Sequence, residues 1–136
     1  MGKPKQRKST FQKIDPPVEV YNTDKLPPVF SFSQISKDPD FSFQSLTTDQ
    51  RAALSSTLYN LSQLTWIELI RANKHGMGSE KMDRQFVTNA ISNLIPEDCA
   101  ILVFRFSGKA PMLGYRASHG IFHIIAFDTK FIAYEH

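Results

Sequence analysis

The feature that most constrains the fold is a change in the spacing of apolar residues near Cys99. Before this point apolar residues recur about every 3.6 residues, which is typical of helices, and after it they alternate, which is typical of strands. Short turns divide the last part of the chain into four segments of strand length, at 100–107, 112–116, 121–127 and 131–136. Because loops this short can only join antiparallel strands, we predict a four-stranded antiparallel meander.

Two helices are predicted ahead of this meander from the residues at their starts. Thr47 and Gln50, and again Thr65 and Glu68, have the spacing of a capping box, in which two side chains satisfy free amides at a helix start. The first helix presents an apolar face formed by Leu54, Leu58 and Leu61. The second is short, begins at Trp66 and is expected to bury Ile67 and Ile70.

A third helix is predicted from Ser79 to about Leu94, with Pro96 just beyond its end. Its expected apolar face consists of Met82, Phe86, Ala90 and Leu94. The whole pattern therefore predicts an α+β fold, with two to three helices followed by the meander, in a single domain that spans 28–136.

Residues 1–27 are predicted to form a flexible, basic, proline-rich arm. Its cations cluster at Lys3, Lys5, Arg7 and Lys8, and its paired prolines at 16–17 and 27–28 disfavour a helix. A basic arm suits a polyanion, although it would equally serve as a solubilising tail. Directly after it, the alternating runs 29–33 and 41–43 are predicted to pair as a hairpin or to lie extended across the helices.

Composition excludes several classes of function. The single cysteine among 136 residues excludes an internal disulfide and a cysteine-based zinc site. No apolar run is long enough to cross a membrane and no secretory signal precedes the domain, so we expect a cytoplasmic protein. The phosphate-binding motifs of nucleotide cofactors are absent and the four histidines lack metal-ligand spacing, so we expect neither a cofactor nor a metal.

The polar residues of the meander suggest a metal-free chemistry. Five ionisable or phenolic side chains interrupt the apolar strands, namely Arg105, Arg116, His123, Tyr134 and His136. RNA cleavage by the ribose 2′-hydroxyl needs a base, an acid and cations for the charge on phosphorus, and histidine and arginine can supply these. Strand parity allows the five side chains to gather on one face of the sheet but does not require it.

Each of these residues also has a structural interpretation. Arg105 could form an ion pair with an acid such as Glu97 or Asp128. His123 could be a core histidine, Tyr134 a packing residue, and His136 only the end of the chain. The sequence leaves these alternatives open.

The final third of the chain resembles the RelE/ParE-type toxins of bacterial toxin–antitoxin systems. The resemblance covers roughly 48–136 and depends on four segments: Phe104-Arg105-Phe106-Ser107-Gly108, Met112-Leu113-Gly114-Tyr115-Arg116, Gly120-Ile121-Phe122-His123-Ile124-Ile125 and the terminal Tyr134-Glu135-His136. It implies a RelE-like sheet that acts on ribosome-bound or free mRNA. It further implies that Arg105 and Arg116 contact phosphate and that Tyr134 and His136 transfer protons.

We therefore predict a toxin-like, metal-independent RNA endonuclease (an mRNA interferase) of a bacterial or phage-associated toxin–antitoxin or defence system. Its expected partners are RNA, including ribosome-bound mRNA, and an antitoxin protein. The residues expected to contact RNA outside the catalytic set are Lys109, His119, Lys3, Lys5, Arg7 and Lys8.

Two features depart from the toxin pattern. A long proline-rich segment precedes the helices, and basic residues on the helices are sparse. Both departures fit the alternative prediction, a non-enzymatic protein-interaction or nucleic-acid-binding module with an inert sheet.

Overall fold

A five-stranded sheet forms the centre of an α+β fold in the computed structural model, which describes residues 22–72 and 77–134. Its strands are β1 (Val29–Ser31), β2 (Glu80–Met82), β3 (Ile101–Ser107), β4 (Ala110–Arg116) and β5 (Ile121–Phe127). They lie in the order β1-β5-β4-β3-β2, with β1 parallel to β5 and every other pair antiparallel. The helices are α1 (Thr48–Ser62), α2 (Trp66–Arg71) and α3 (Asn89–Ser92).

Three strands of the predicted meander, β3, β4 and β5, are confirmed. The turn between β4 and β5 contains two residues in the left-handed region, His119 at φ 66° and Gly120 at φ 75°. A bulge interrupts β5, because Leu113 pairs with Ala126 whereas Gly114 pairs with Ile124. The extra residue, Ile125, interrupts the alternation of side chains along β5, so the side chains of Ile125 and Ala126 pack on the same side of the sheet.

The strand predicted at 131–136 is wrong over its described part, 131–134. Phe131 has a positive φ of 58°, and over 131–134 only Tyr134 forms a β-bridge, to Val87. The buried carboxylate of Asp128 accepts hydrogen bonds from the amides of Ile132 and Ala133 at 2.8 and 2.9 Å, which holds this segment in a turn. The fourth antiparallel strand is instead β2, which pairs with β3.

The third helix predicted from Ser79 to Leu94 is also wrong. The segment begins as β2, continues as a 3₁₀ turn at Arg84–Phe86 and forms only the four-residue helix α3. The Arg84 guanidinium donates to the carbonyl oxygens of Ser92 and Pro96, both at 2.8 Å, and so draws the segment into a loop. Tertiary contacts here override a helical spacing of apolar residues.

The hairpin predicted from the two alternating runs is not formed. Residues 29–31 are a strand, but it pairs with β5, and Phe43–Ser45 forms a 3₁₀ turn capped by the Ser42 hydroxyl. The run is nevertheless attached to the sheet, since the carbonyl of Phe41 accepts from the Phe127 amide at 2.9 Å.

Both predicted capping boxes are confirmed, at Thr47 for α1 and at Thr65 for α2. Leu54 and Leu61 of α1 are buried as expected. In α2 the buried positions belong to Trp66 and Leu69, whereas Ile70, which we predicted to be buried, is 56% exposed. No described helix is long and apolar enough to span a bilayer.

The sheet is covered on both faces. One face packs with the helices, in a core that we call the helix-side core, formed by residues such as Leu61, Trp66, Phe104, Met112 and Phe122. The opposite face packs with loops and α3, in a loop-side core formed by residues such as Phe41, Val87, Ile91, Val103 and Leu113. Because β3, β4 and β5 are apolar on both sides, neither face can be left open to water.

Asp128 gives a test of how the segment after β5 is held. We expect Asp128→Ala to lower the free energy of unfolding by about 3 kcal/mol, because the buried amide of Ala133 and the partly buried amide of Ile132 lose a charged acceptor. Asp128→Asn keeps an acceptor for these amides, so its free energy of unfolding should lie between those of the wild type and Asp128→Ala. Asp40→Ala, which removes an exposed ion pair to Lys130, is the control and should have a far smaller effect in urea unfolding. Equal losses for Asp128→Ala and Asp40→Ala would contradict this account.

Candidate functional site

The four described residues of the set predicted for catalysis do not all lie together, although Arg105 is close enough to Tyr134 to interact with it electrostatically. Arg105, His123 and Tyr134 lie on the loop side of the sheet: Arg105 pairs with Pro111, His123 with Tyr115, and Tyr134 is part of the loop-side core. Arg116 pairs with Phe122, whose ring belongs to the helix-side core, so Arg116 lies on the opposite face. The sheet therefore separates the two arginines that the toxin resemblance assigns to one phosphate.

The two remaining predicted residues that the structure describes lie apart from each other. Lys109 and His119 are exposed in the turns before and after β4, at its opposite ends. His136 lies outside the described residues, as do the four basic residues of the arm, Lys3, Lys5, Arg7 and Lys8.

Arg105 is held by structural contacts. Its guanidinium lies 3.8 Å from the carboxylate of Glu80 and 3.4 Å from the carbonyl oxygen of Lys109. The ion pair that we considered from sequence thus exists, but its acid is Glu80 on the neighbouring strand β2 and not Glu97 or Asp128.

The aromatic residues on the loop side are packed. The His123 ring stacks on Tyr115, with ring centroids 5.0 Å apart and planes 28° apart. Its buried Nδ1 has no hydrogen-bond partner among the described residues, so no described carboxylate orients this imidazole. Tyr134 is 8% exposed, and burial raises the pKa of its phenol. The stack of His123 on Tyr115 and the burial of Tyr134 are packing contacts on the loop side of the sheet.

Arg116 forms the centre of a cluster on the helix side. One terminal nitrogen, Nη2, donates to the Thr23 hydroxyl at 2.6 Å and to the Asp24 carboxylate at 2.7 Å. The guanidinium carbon lies 4.5 Å from the centroid of the Trp66 ring, in cation–π contact. The indole Nε1 in turn donates to the carbonyl of Gly120 at 2.9 Å.

Residues 22–27, which we assigned to the arm, pack against this cluster. Thr23 is buried. The carbonyls of Asp24 and Leu26 accept from the amides of Ile67 and Trp66, at 2.9 and 3.0 Å, and so satisfy the first turn of α2. The point where the arm joins the domain is therefore beside Arg116.

A cleft of about 550 Å³, the Trp66 cleft, opens next to this cluster. Its lining residues are Trp66, Ile70, Ser79, Lys81, Asp98, Cys99, Ala100, Leu102 and Arg116. Apolar side chains from α2 and β3 form walls, and two cations and one carboxylate provide charge. Burial, followed by the neighbouring Asp98 carboxylate, raises the pKa of the Cys99 thiol, which keeps it in its neutral form.

Sequence reasoning selected Arg116 as a phosphate contact of the meander, but it predicted no cleft and missed the other charged residues that line this one. Trp66, the single tryptophan, was the available signal, but it was used only to mark the start of α2. Lys81 and Asp98 could not be found from spacing, because the first lay within the predicted third helix and the second within a loop.

No family model, curated protein or solved structure matches the chain. The resemblance to RelE/ParE-type toxins therefore stays a prediction. Within residues 22–72 and 77–134, no three His, Cys, Asp or Glu side chains are grouped so that they could hold a metal ion.

Gly120 tests the packing around Trp66. A Cβ at this position would lie 3.1 Å from Thr23 and 3.2 Å from the indole Nε1, and Gly120 has a positive φ. Gly108 has a similar φ of 60° but open space around it, so Gly108→Ala is a matched control. We expect Gly120→Ala to lower the free energy of unfolding by about 1 kcal/mol more than the control does, with a shift in Trp66 emission. Equal losses would show that the contacts with Thr23 and Trp66 are not tight.

Tyr134 predicts a loss of stability in alkali. The pKa of the Tyr134 phenol is higher in the folded than in the unfolded chain. The stability that this phenol contributes is therefore fully present below the ordinary tyrosine pKa of 10.0 and is lost as the pH rises through the raised value. Tyr134→Phe should therefore flatten the fall in stability above pH 10, measured by urea unfolding. Tyr59→Phe, at a 65% exposed position, should leave that fall unchanged. The same pH profile for both variants would show that Tyr134 does not cause the loss.

Proposed function

We propose that this protein is a non-enzymatic nucleic-acid-binding module, in which the basic arm attracts single-stranded RNA and the Trp66 cleft contacts it. The observation that carries the proposal is the point where the arm joins the domain. The arm joins the domain at Thr23 and Asp24, which contact Arg116, and Arg116 lines the cleft. An RNA strand that the arm attracts therefore meets the domain beside the cleft.

The distribution of charge along the chain also supports a role for the arm in attracting RNA. Residues 1–21 contain five cations and two acids, a net charge of +3, which equals the net charge of the whole chain. The remaining residues are neutral overall, so the long-range attraction for a polyanion resides in the arm. Such attraction is independent of sequence and depends strongly on salt, because bound cations release counterions from the nucleic acid.

The positions of the polar residues favour binding over cleavage. The predicted endonuclease would need Arg116 on the same phosphate as Arg105 and close to His123. These groups lie on opposite faces of a sheet that is covered on both sides. Arg116 is held in one position by its ion pair with Asp24 and its contact with Trp66, and a guanidinium held in this way suits a binding contact.

Loss of the arm charges should weaken RNA binding without affecting the fold. We expect deletion of 1–15, which removes five cations, to reduce affinity for a fluorescent single-stranded RNA at least about tenfold at low salt. The slope of log affinity against log salt should fall in magnitude by about three. Fluorescence anisotropy measures both, and the melting temperature should change little.

A matched pair of double variants locates the binding surface. Lys3→Gln/Lys5→Gln removes two charges from the arm, and Lys37→Gln/Lys109→Gln removes two from exposed positions of the domain. The arm variant should weaken binding more. An equal or greater effect of the domain variant would place RNA near Lys37 and Lys109 and contradict the proposal.

The alternative that the protein is an RNA endonuclease is tested separately, by an RNA cleavage assay. We expect no cleavage of RNA by the purified protein, with or without ribosomes. Cleavage that persists in chelator and leaves 2′,3′-cyclic phosphate ends would establish the endonuclease instead.

A further inference from the structure

The size and walls of the Trp66 cleft suit one small ligand with an apolar body. Its volume of about 550 Å³ falls within the range of about 300–1,000 Å³ that is usual for small-molecule sites. Leu102 and Ile70 provide apolar walls, and Ile70 is 56% exposed although it belongs to a helix with a buried face. A flat apolar group in the cleft would cover this side chain.

The cations of the cleft have donors left for an anion. Both hydrogen bonds of Arg116 to described residues come from Nη2, so Nε and Nη1 donate to none of the described residues. A guanidinium presents its donors as a planar fork that matches phosphate, and stacking on Trp66 holds this fork in place. Lys81, exposed on β2, adds a second positive charge to the same cleft.

Asp98 gives the cleft an acceptor for a donor group. Its carboxylate is exposed at the cleft and contacts the Cys99 thiol only weakly, at 3.8 Å. Carboxylates accept hydrogen bonds from the exocyclic amine of cytosine but not from the carbonyl that replaces it in uracil. The negative charges of Asp24 and Asp98 offset the positive charges of Arg116 and Lys81. Direct contacts in the cleft, and not long-range electrostatic attraction, therefore select the ligand.

We propose that the Trp66 cleft holds one nucleotide of the bound strand, with its phosphate on Arg116 and Lys81 and an amino-bearing base, such as cytosine, directed to Asp98. This inference rests on the proposed function and adds the identity of the ligand at the cleft. It predicts two separable components of RNA binding: a salt-sensitive one from the arm and a base-selective one from the cleft.

Titration of the full-length protein with CMP and UMP tests the inference. Trp66 is the only tryptophan, so its fluorescence reports the cleft, and calorimetry gives an independent affinity. We expect CMP to bind saturably and about tenfold more tightly than UMP, which is the effect of one base-specific hydrogen-bonded contact. Absence of CMP binding at millimolar concentration, or equal binding of CMP and UMP, would overturn the inference.

Variants at exposed positions separate the contacts without disturbing the core. Asp98→Ala should lower CMP affinity to that of UMP and leave UMP unchanged, whereas Glu97→Ala, at an exposed neighbour outside the cleft lining, should preserve the preference. Lys81→Gln should weaken both nucleotides equally. Full CMP preference in Asp98→Ala, or unchanged affinities in Lys81→Gln, would show that the nucleotide binds elsewhere.

The arm distinguishes failure of this inference from failure of the proposed function. Lys3→Gln/Lys5→Gln should weaken RNA but leave CMP affinity unchanged. RNA binding without CMP binding would overturn the cleft assignment alone. CMP binding without RNA binding would overturn the proposed function and show a site for free nucleotides.

Discussion

The contact between Arg116 and Trp66 connects the end of the central sheet, the second helix and the segment that leads from the arm. Arg116 ends β4, Trp66 begins α2, and the Trp66 indole holds the turn before β5 through Gly120. The same guanidinium also fixes the segment that leads from the arm, through Thr23 and Asp24. The walls of the cleft and the attachment point of the arm therefore depend on one stacked cation.

Burial of the sheet on both faces limits where function can occur. A polar side chain in the middle of β3, β4 or β5 enters one of two cores, and there it must find a partner or be packed. Arg105 and His123 follow this rule, with an ion pair to Glu80 and a stack on Tyr115. Access for a ligand remains at the ends and edges of the strands, which is where the Trp66 cleft lies.

Prediction succeeded where the determining interactions are local. Capping boxes need residues only three positions apart, and both helix starts were found at Thr47 and Thr65. The apolar alternation of β3 and β5 was equally readable. The third helix failed because Arg84 bonds to carbonyls up to 15 residues away, and the last strand failed because Asp128 binds the amides that a strand would have used.

The sequence by itself determined the three central strands β3, β4 and β5, the starts of α1 and α2 and the concentration of positive charge in the arm, since each follows from residues close together in the chain. Only the tertiary structure decided which face each polar residue occupies. Arg105 pairs with Pro111, so that Arg116 alternates to the other side, and a shift of one residue in this register would have brought the two arginines to one face. Register is set by the packing of both cores at once, and that packing separated Arg116 from Arg105 and His123 and created the cleft.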